Sequence, residues 1–187
     1  MIEIRDMPLH LNRVLQVRTA DRLRASLARD EMTGLPAVGA LSDDDQRELR
    51  EVGGGRIAAV AIIVVWAFDA VHFPPTIQEV QSLVMSEVAR LVEEQVRRTD
   101  LLGSLSEEVL LILAPALDPL SGQTLAERLR DLFVDRHLEV GDVQVQLRVK
   151  VGVASRSAAS PAGWTTQTLA REAERNASDL PPIAIVA

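Results

Sequence analysis

Arg29-Asp30-Glu31-Met32-Thr33-Gly34-Leu35-Pro36 divides the chain: Gly34 and Pro36 interrupt the helical stretch that precedes them. Upstream, residues 9–28 are mostly helix formers, and Leu11, Val14, Leu15, Leu23 and Leu27 form an irregular apolar stripe among arginines. This predicts an amphipathic lead-in helix, so the chain divides into an N-terminal segment, 1–29, and a domain, 30–187. The stripe is too short and broken for a coiled-coil heptad reading, although it is compatible with a homodimer formed through this helix. Downstream, Ser42 can cap a second helix whose positive N-terminal end is favoured by Asp43, Asp44 and Asp45. Gly53-Gly54-Gly55 stops that helix.

Residues 57–68 are rich in Val, Ile and Ala without clean alternation, the pattern of a central strand covered on both faces. After Pro74-Pro75, apolar residues recur every three or four positions from Ile77 to Val92, predicting a long helix that runs to Arg98. Residues 101–105 and 109–114 read as two strands joined across Ser106-Glu107-Glu108 and stopped by Pro115. A helix is expected over 121–135. Val143, Val145, Leu147, Val149, Val151 and Val153 then alternate strictly with Gln144, Gln146, Arg148, Lys150 and Gly152, as in a strand with one wet face. A helix over 167–177 and a terminal strand over 183–186 complete the reading. The predicted class is α+β, with one mainly antiparallel sheet flanked by helices.

The composition narrows the function. The chain has 187 residues, 47% of them apolar and 25% charged, which fits one globular domain with a short appendage. The longest apolar run, 57–68, falls short of the about 20 residues a membrane helix needs, so no membrane insertion is expected. No secretion signal is visible near the start, and a cytoplasmic location is the expectation; the Met1 start fits a complete chain and a piece of a longer one equally. The absence of cysteine excludes disulfides, thiolate metal sites and cysteine nucleophiles. A net charge of -7 argues against a nucleic-acid polymer as partner, while leaving room for local arginine clusters that hold a small phosphate ligand.

Two further motifs follow the opening octapeptide at a distance. Arg97-Arg98-Thr99-Asp100 is separated by residues 101–105 from Ser106-Glu107-Glu108-Val109-Leu110. Together with Asp30-Glu31-Met32-Thr33-Gly34-Leu35-Pro36, with Ala126 to Arg130 and with Val151 to Ala154, this order resembles a degenerate GGDEF domain, the catalytic domain of diguanylate cyclases. The likeness covers roughly residues 30–177. It implies a nucleotide-cyclase palm, with Arg97-x-x-Asp100 at the family's R-x-x-D site and residues 106–110 at its five-letter signature.

The resemblance also implies where chemistry has been lost. Active relatives hold two Mg²⁺ between an Asp after the first strand and the acidic third letter of the signature. Counting back from Asp100 without gaps puts Val65 at the first metal position and Phe73 at the guanine-reading Asn. A register with a four-residue deletion puts Asp69 there instead; the gapless register is preferred. Glu108 stands at the hairpin carboxylate in both. Ser106 and Glu107 replace a glycine pair whose lack of Cβ would admit a nucleotide, and Val109 and Leu110 replace the last two letters. No catalytic residue, metal site or cofactor is therefore expected, and the chain is read as no enzyme. A third reading retains Asp69 and Glu108 for weak GTP chemistry.

The R-x-x-D match implies binding of cyclic di-GMP by Arg97, Arg98 and Asp100. An arginine fork can pair with phosphate oxygens or guanine O6 and N7, and a carboxylate can accept from guanine N1 and N2. Placed i and i+3 at a helix end, Arg97 and Asp100 would address one ligand. The plain alternative is a solvated helix end favoured by the dipole, with Asp100 starting a turn. Arg128 and Arg130 read as a solvated helix face rather than a phosphate site, and His10, His72 and His137 lack metal-ligand spacing. The expected function is an inactive GGDEF-like receptor that senses cyclic di-GMP and signals through a protein partner. The alternative is an interaction scaffold that has lost nucleotide binding.

Overall fold

The computed structural model describes residues 9–68, 76–140, 143–157 and 164–178. Asp69, His72, Phe73 and the expected terminal strand 183–186 lie outside them. The described elements run α1 (Leu9–Ser26), a 3-10 turn (Val38–Ala40), α2 (Asp43–Val52), β1 (Ile57–Phe68), α3 (Ile77–Glu93), β2 (Leu101–Ser106), β3 (Val109–Pro115), α4 (Pro119–Leu132), β4 (His137–Val140), β5 (Val143–Arg156) and α5 (Thr166–Ser178). The strands form one five-stranded sheet in the order β2-β3-β1-β5-β4. Every strand pairing is antiparallel.

The central position of β1 explains its unbroken apolar sequence. Ala58, Val60, Ile62 and Val64 face one apolar cluster with α3 and α4. Ile57, Ala59 and Ala61 face a second, with residues of α1, α2 and α5. Strands covered on both sides have no reason to alternate. The predicted wet face of β5 is real only along its first part, where Gln144 and Lys150 are exposed. Farther on, Gly152 and Ala154 are buried beneath α5. There the contact is unusually close, because Ala170, Ala173 and Ala177 of α5 are small and fully or nearly fully buried.

The second helix begins as its sequence demands. Ser42 Oγ accepts from Asp45 N–H at 3.2 Å, and the Asp45 carboxylate accepts from Ser42 N–H at 3.1 Å, a reciprocal cap. The ends of α3 and α4 differ from expectation, α4 closing at Leu132 rather than at 135. Helix α3 stops at Glu93, leaving Arg97 and Asp100 in a turn beyond it. Helix α4 starts at Pro119, since Asp118 caps it by accepting from Ser121 N–H at 2.9 Å and proline needs no donor at the first position. Strand β4 was not anticipated: its residues His137-Leu138-Glu139-Val140 are too few for periodicity to register.

Helix α1 is built into the body. Leu23 and Ala20 are fully buried, whereas Leu11 and Val14 near its start are 45% and 47% exposed. Along its side, Gln16 Nε2 donates to Val52 O at 2.9 Å and Thr19 Oγ1 to Glu48 at 2.7 Å. Arg22 pairs with Asp45 at 2.9 Å and also with Glu48. Trp164, which begins the last described segment, is buried in the α5-side core with the Arg50 guanidinium 5.3 Å above its ring.

Candidate ligand-binding site

The loop that opens the domain is a turn closed on itself. Asp30 Oδ1 accepts from Thr33 N–H at 2.9 Å and from its hydroxyl at 2.7 Å, while Gly34, at φ 68°, donates to Asp30 O at 2.8 Å. The positive φ explains why glycine stands there. The loop then lies along β2: Ser104 N–H donates to Pro36 O at 2.9 Å. Gly103 makes this approach achievable, since a Cβ there would sit 2.4 Å from Pro36 O and 2.2 Å from Val38 Cγ1.

The turn 97–100 occupies the space between α3 and β2. Asp100 N–H donates to Arg97 O at 3.0 Å, and the Asp100 carboxylate accepts from Arg97 N–H at 3.0 Å and from the Thr99 hydroxyl at 3.2 Å. Arg97 and Asp100 are therefore related by a turn instead of by helical spacing. The Asp100 side chain faces inward; the residue is only 3% exposed. Arg97 is exposed, and its guanidinium has no protein partner among the described residues. Arg24 of α1 donates to the carbonyl oxygens of Arg98, at 3.0 Å, and Asp100, fixing the turn from behind. Arg98 turns toward α1 and pairs with Asp21 at 3.1 Å.

In front of the turn lies a cavity of about 280 Å³ between it and α4. Arg97, Asp100, Ser121, Thr124 and Arg128 line it. Arg128 is exposed, as expected of a solvated helix face, and the fold also brings it to the same cavity as Arg97 and Asp100. Its guanidinium is oriented by donation to Gln95 O at 2.7 Å. The signal available in the sequence was only its place on a helix that follows the hairpin. Arg130 is different: its Nε is buried without a hydrogen-bond partner. Arg98 does not line this cavity.

Burial raises the Asp100 carboxyl above its ordinary range, against the opposing pull of the Arg97 N–H, the Thr99 hydroxyl and the charges of Arg97 and Arg24. Folding therefore favours its protonated form. That contribution is fully present below the unfolded-state value of about 3.9 and is lost as pH rises through the folded-state value. The stability of the wild type relative to Asp100→Asn is accordingly expected to fall as pH rises above about 4. Urea unfolding at a series of pH values from about 4 upward checks it; a difference that rises with pH would contradict the assignment.

Residues 106–110, expected at the degenerate signature, form the end of β2, the turn and the start of β3. Ser106 pairs with Val109 around Glu107 and Glu108, after a register irregularity between Ser104 and Ser106. Among the described residues the non-glycine positions with positive φ are Ala116 and Asp135, so neither Glu107 nor Glu108 needs glycine's freedom. Both glutamates and Ser106 are exposed, Val109 is half-buried and Leu110 is fully buried. The turn closes onto β1, with Val64 N–H donating to Glu108 O at 2.9 Å. Val65, beside it, is 44% exposed. Among the described residues no group of three or more His, Cys, Asp or Glu side chains is placed to hold a metal ion.

This fold recurs in known structures. The GGDEF domain of FimX from Pseudomonas aeruginosa superposes with a TM-score of 0.57 at 18% identity, covering 81% of this chain and 91% of that one. The coiled coil and GGDEF domain of DgcB from Caulobacter crescentus, in complex with c-di-GMP, gives 0.60 at 17% identity over 90% of this chain and 87% of that one. The chain has the fold of a GGDEF domain. The diguanylate cyclase SiaD of Pseudomonas aeruginosa, solved with its activator SiaC, gives 0.62 at 21% identity; this GGDEF-like chain is matched over 91% of its length and spans 63% of that chain. No protein-family model and no curated protein matches the sequence. No helix among the described residues is long and apolar enough to cross a membrane.

Proposed function

We propose that this GGDEF-like domain is a catalytically inactive receptor for cyclic di-GMP that signals by protein contact. The observation that carries the reading is the cavity shared by Arg97, Asp100 and Arg128, with the Arg97 guanidinium making no hydrogen bond or ion pair among the described residues. Arg97 and Arg128 present planar forks to phosphate oxygens or a guanine edge. Each Asp100 oxygen retains a lone pair after its internal hydrogen bond and can accept from guanine donors. Loss of chemistry is supported by Val65 and by Ser106 and Glu107, which supply neither a metal carboxylate nor open backbone at their positions. The chain's likeness to a c-di-GMP-bound structure supports the ligand class.

Binding of cyclic di-GMP is expected to weaken by about 10- to 100-fold in Arg97→Ala, the worth of one hydrogen-bonded charge. Arg128→Ala should show a similar loss. Equilibrium titration of the purified variants checks both, and undiminished affinity in Arg97→Ala overturns the site. One observation favours a second reading, a ligand-free interaction scaffold: both Asp100 oxygens are already engaged within the turn. Under that reading no variant alters nucleotide binding, because none occurs, and capture of a protein partner is unaffected by Arg97→Ala.

A further inference from the structure

A second cavity, of about 350 Å³, also borders the turn 97–100 and shares only Arg97 with the one described above. Its walls come from α1, the 30–36 loop, the end of α3 and β2, and its charged lining is Asp21, Arg24, Arg29, Glu93, Arg97 and Arg98. We propose that this cavity is a separate anion site for a small phosphorylated molecule, with the lead-in helix as one wall.

The whole chain carries -7, yet here arginines outnumber carboxylates. Of the two acids, Asp21 is spent on positioning: its oxygens accept from Arg24 at 2.8 Å and Arg98 at 3.1 Å and hold both guanidinia on the same wall. Arg24 is further fixed by the carbonyls of Arg98 and Asp100, and Arg29 by the carbonyl of Gly34 at 3.0 Å. A guanidinium carries five N–H donors, so each of these side chains is oriented by one or a few bonds while keeping others to offer. Among the described residues the Arg97 guanidinium makes no hydrogen bond, so its donors remain available. Preorganised forks converging on a concave surface match phosphate oxygens better than any other common anion. The cavity is of small-ligand size, and the acidity of the rest of the chain disfavours a polymer.

Because Asp21 and Arg24 belong to α1, occupancy stabilises the docked helix, and docking of the helix raises affinity by the same factor. Glu93 is the lining acid without a protein partner among the described residues, and it opposes the anion.

Arg97 borders both cavities, so it cannot distinguish them; Arg29 and Arg128 can. The test is calorimetric titration of inorganic pyrophosphate into the full chain at low ionic strength. Wild type is expected to bind saturably, Arg29→Ala at least about tenfold more weakly, Glu93→Gln about threefold more tightly, and Arg128→Ala within about twofold of wild type. Absence of saturable binding overturns the proposal. So does loss in Arg128→Ala, which would put the anion in the front cavity, and so does retention in Arg29→Ala. Glu93→Gln keeps the test decisive if Arg29→Ala disturbs its loop, since unchanged or weaker binding in that variant also overturns it. The result is independent of cyclic di-GMP binding, whose loss is read in Arg128→Ala.

Discussion

Gly152→Ala is expected to destabilise the domain by about 3 kcal/mol, the upper end of ordinary overpacking costs. Gly152 pairs with Ala61 of the central strand, and α5 crosses directly above it. A Cβ there would stand 2.1 Å from Ala173 O, 2.3 Å from Ala177 N and 2.8 Å from Ala177 Cα. All of these are backbone atoms, so no side-chain rotation can relieve the contact. Either α5 lifts away from Ala59, Ala61 and Ala154 or β5 bends. The control is Gly122→Ala in α4, where the nearest atom is the Val153 Cγ1 methyl at 3.1 Å. There the gain of about 0.5–1 kcal/mol from replacing a helical glycine offsets the contact, and the variant should unfold near the wild-type midpoint. Urea denaturation of the two variants compares them directly; equal midpoints would mean α5 does not sit as described.

Leu23→Ala is expected to cost about 3 kcal/mol, within the range for a buried leucine whose cavity does not collapse. Leu23 is fully buried among Val38, Leu41, Leu49, Leu101 and other residues of the α5-side core. Its neighbours are held by strands and a capped helix and cannot move in to fill the gap. Leu11→Ala, on the exposed half of the same helix, should change stability by less than about 0.5 kcal/mol. If both variants are near neutral, α1 is an appendage; if only Leu23→Ala is costly, its second half is part of the domain. The second outcome also moves the boundary upstream of the one expected at residue 29, because the core would then begin on α1.

Much of this was legible because the strongest local signals coincide with the strongest packing. Ser42 with three following aspartates fixed the start of α2, and the unbroken apolar run of β1 announced a strand covered on both faces. The alternation in β5 located it correctly but misjudged one face. Gln144 to Lys150 are polar toward solvent, yet Gly152 and Ala154 continue the same face into a helix contact that only small residues permit. Strand β4 escaped because four residues carry no period. At the candidate site, Arg97 and Asp100 could be found from their spacing, but their geometry could not, since α3 ends four residues before Arg97 and the pair is joined by a turn. Arg128 was unreadable as a site residue because its neighbours in the cavity come from a segment about thirty positions away, as its bond to Gln95 shows.

The proposed receptor recognises cyclic di-GMP without converting GTP. The most direct measurement is a calorimetric titration of cyclic di-GMP into the full chain, with Mg²⁺ and GTP titrated in parallel and turnover assayed on the same sample. The expected result is saturable micromolar binding of cyclic di-GMP and no Mg²⁺-dependent turnover of GTP. Absence of heat with cyclic di-GMP, under conditions where a protein with an intact R-x-x-D site responds, would contradict the receptor reading, and measurable GTP turnover would contradict the loss of catalysis.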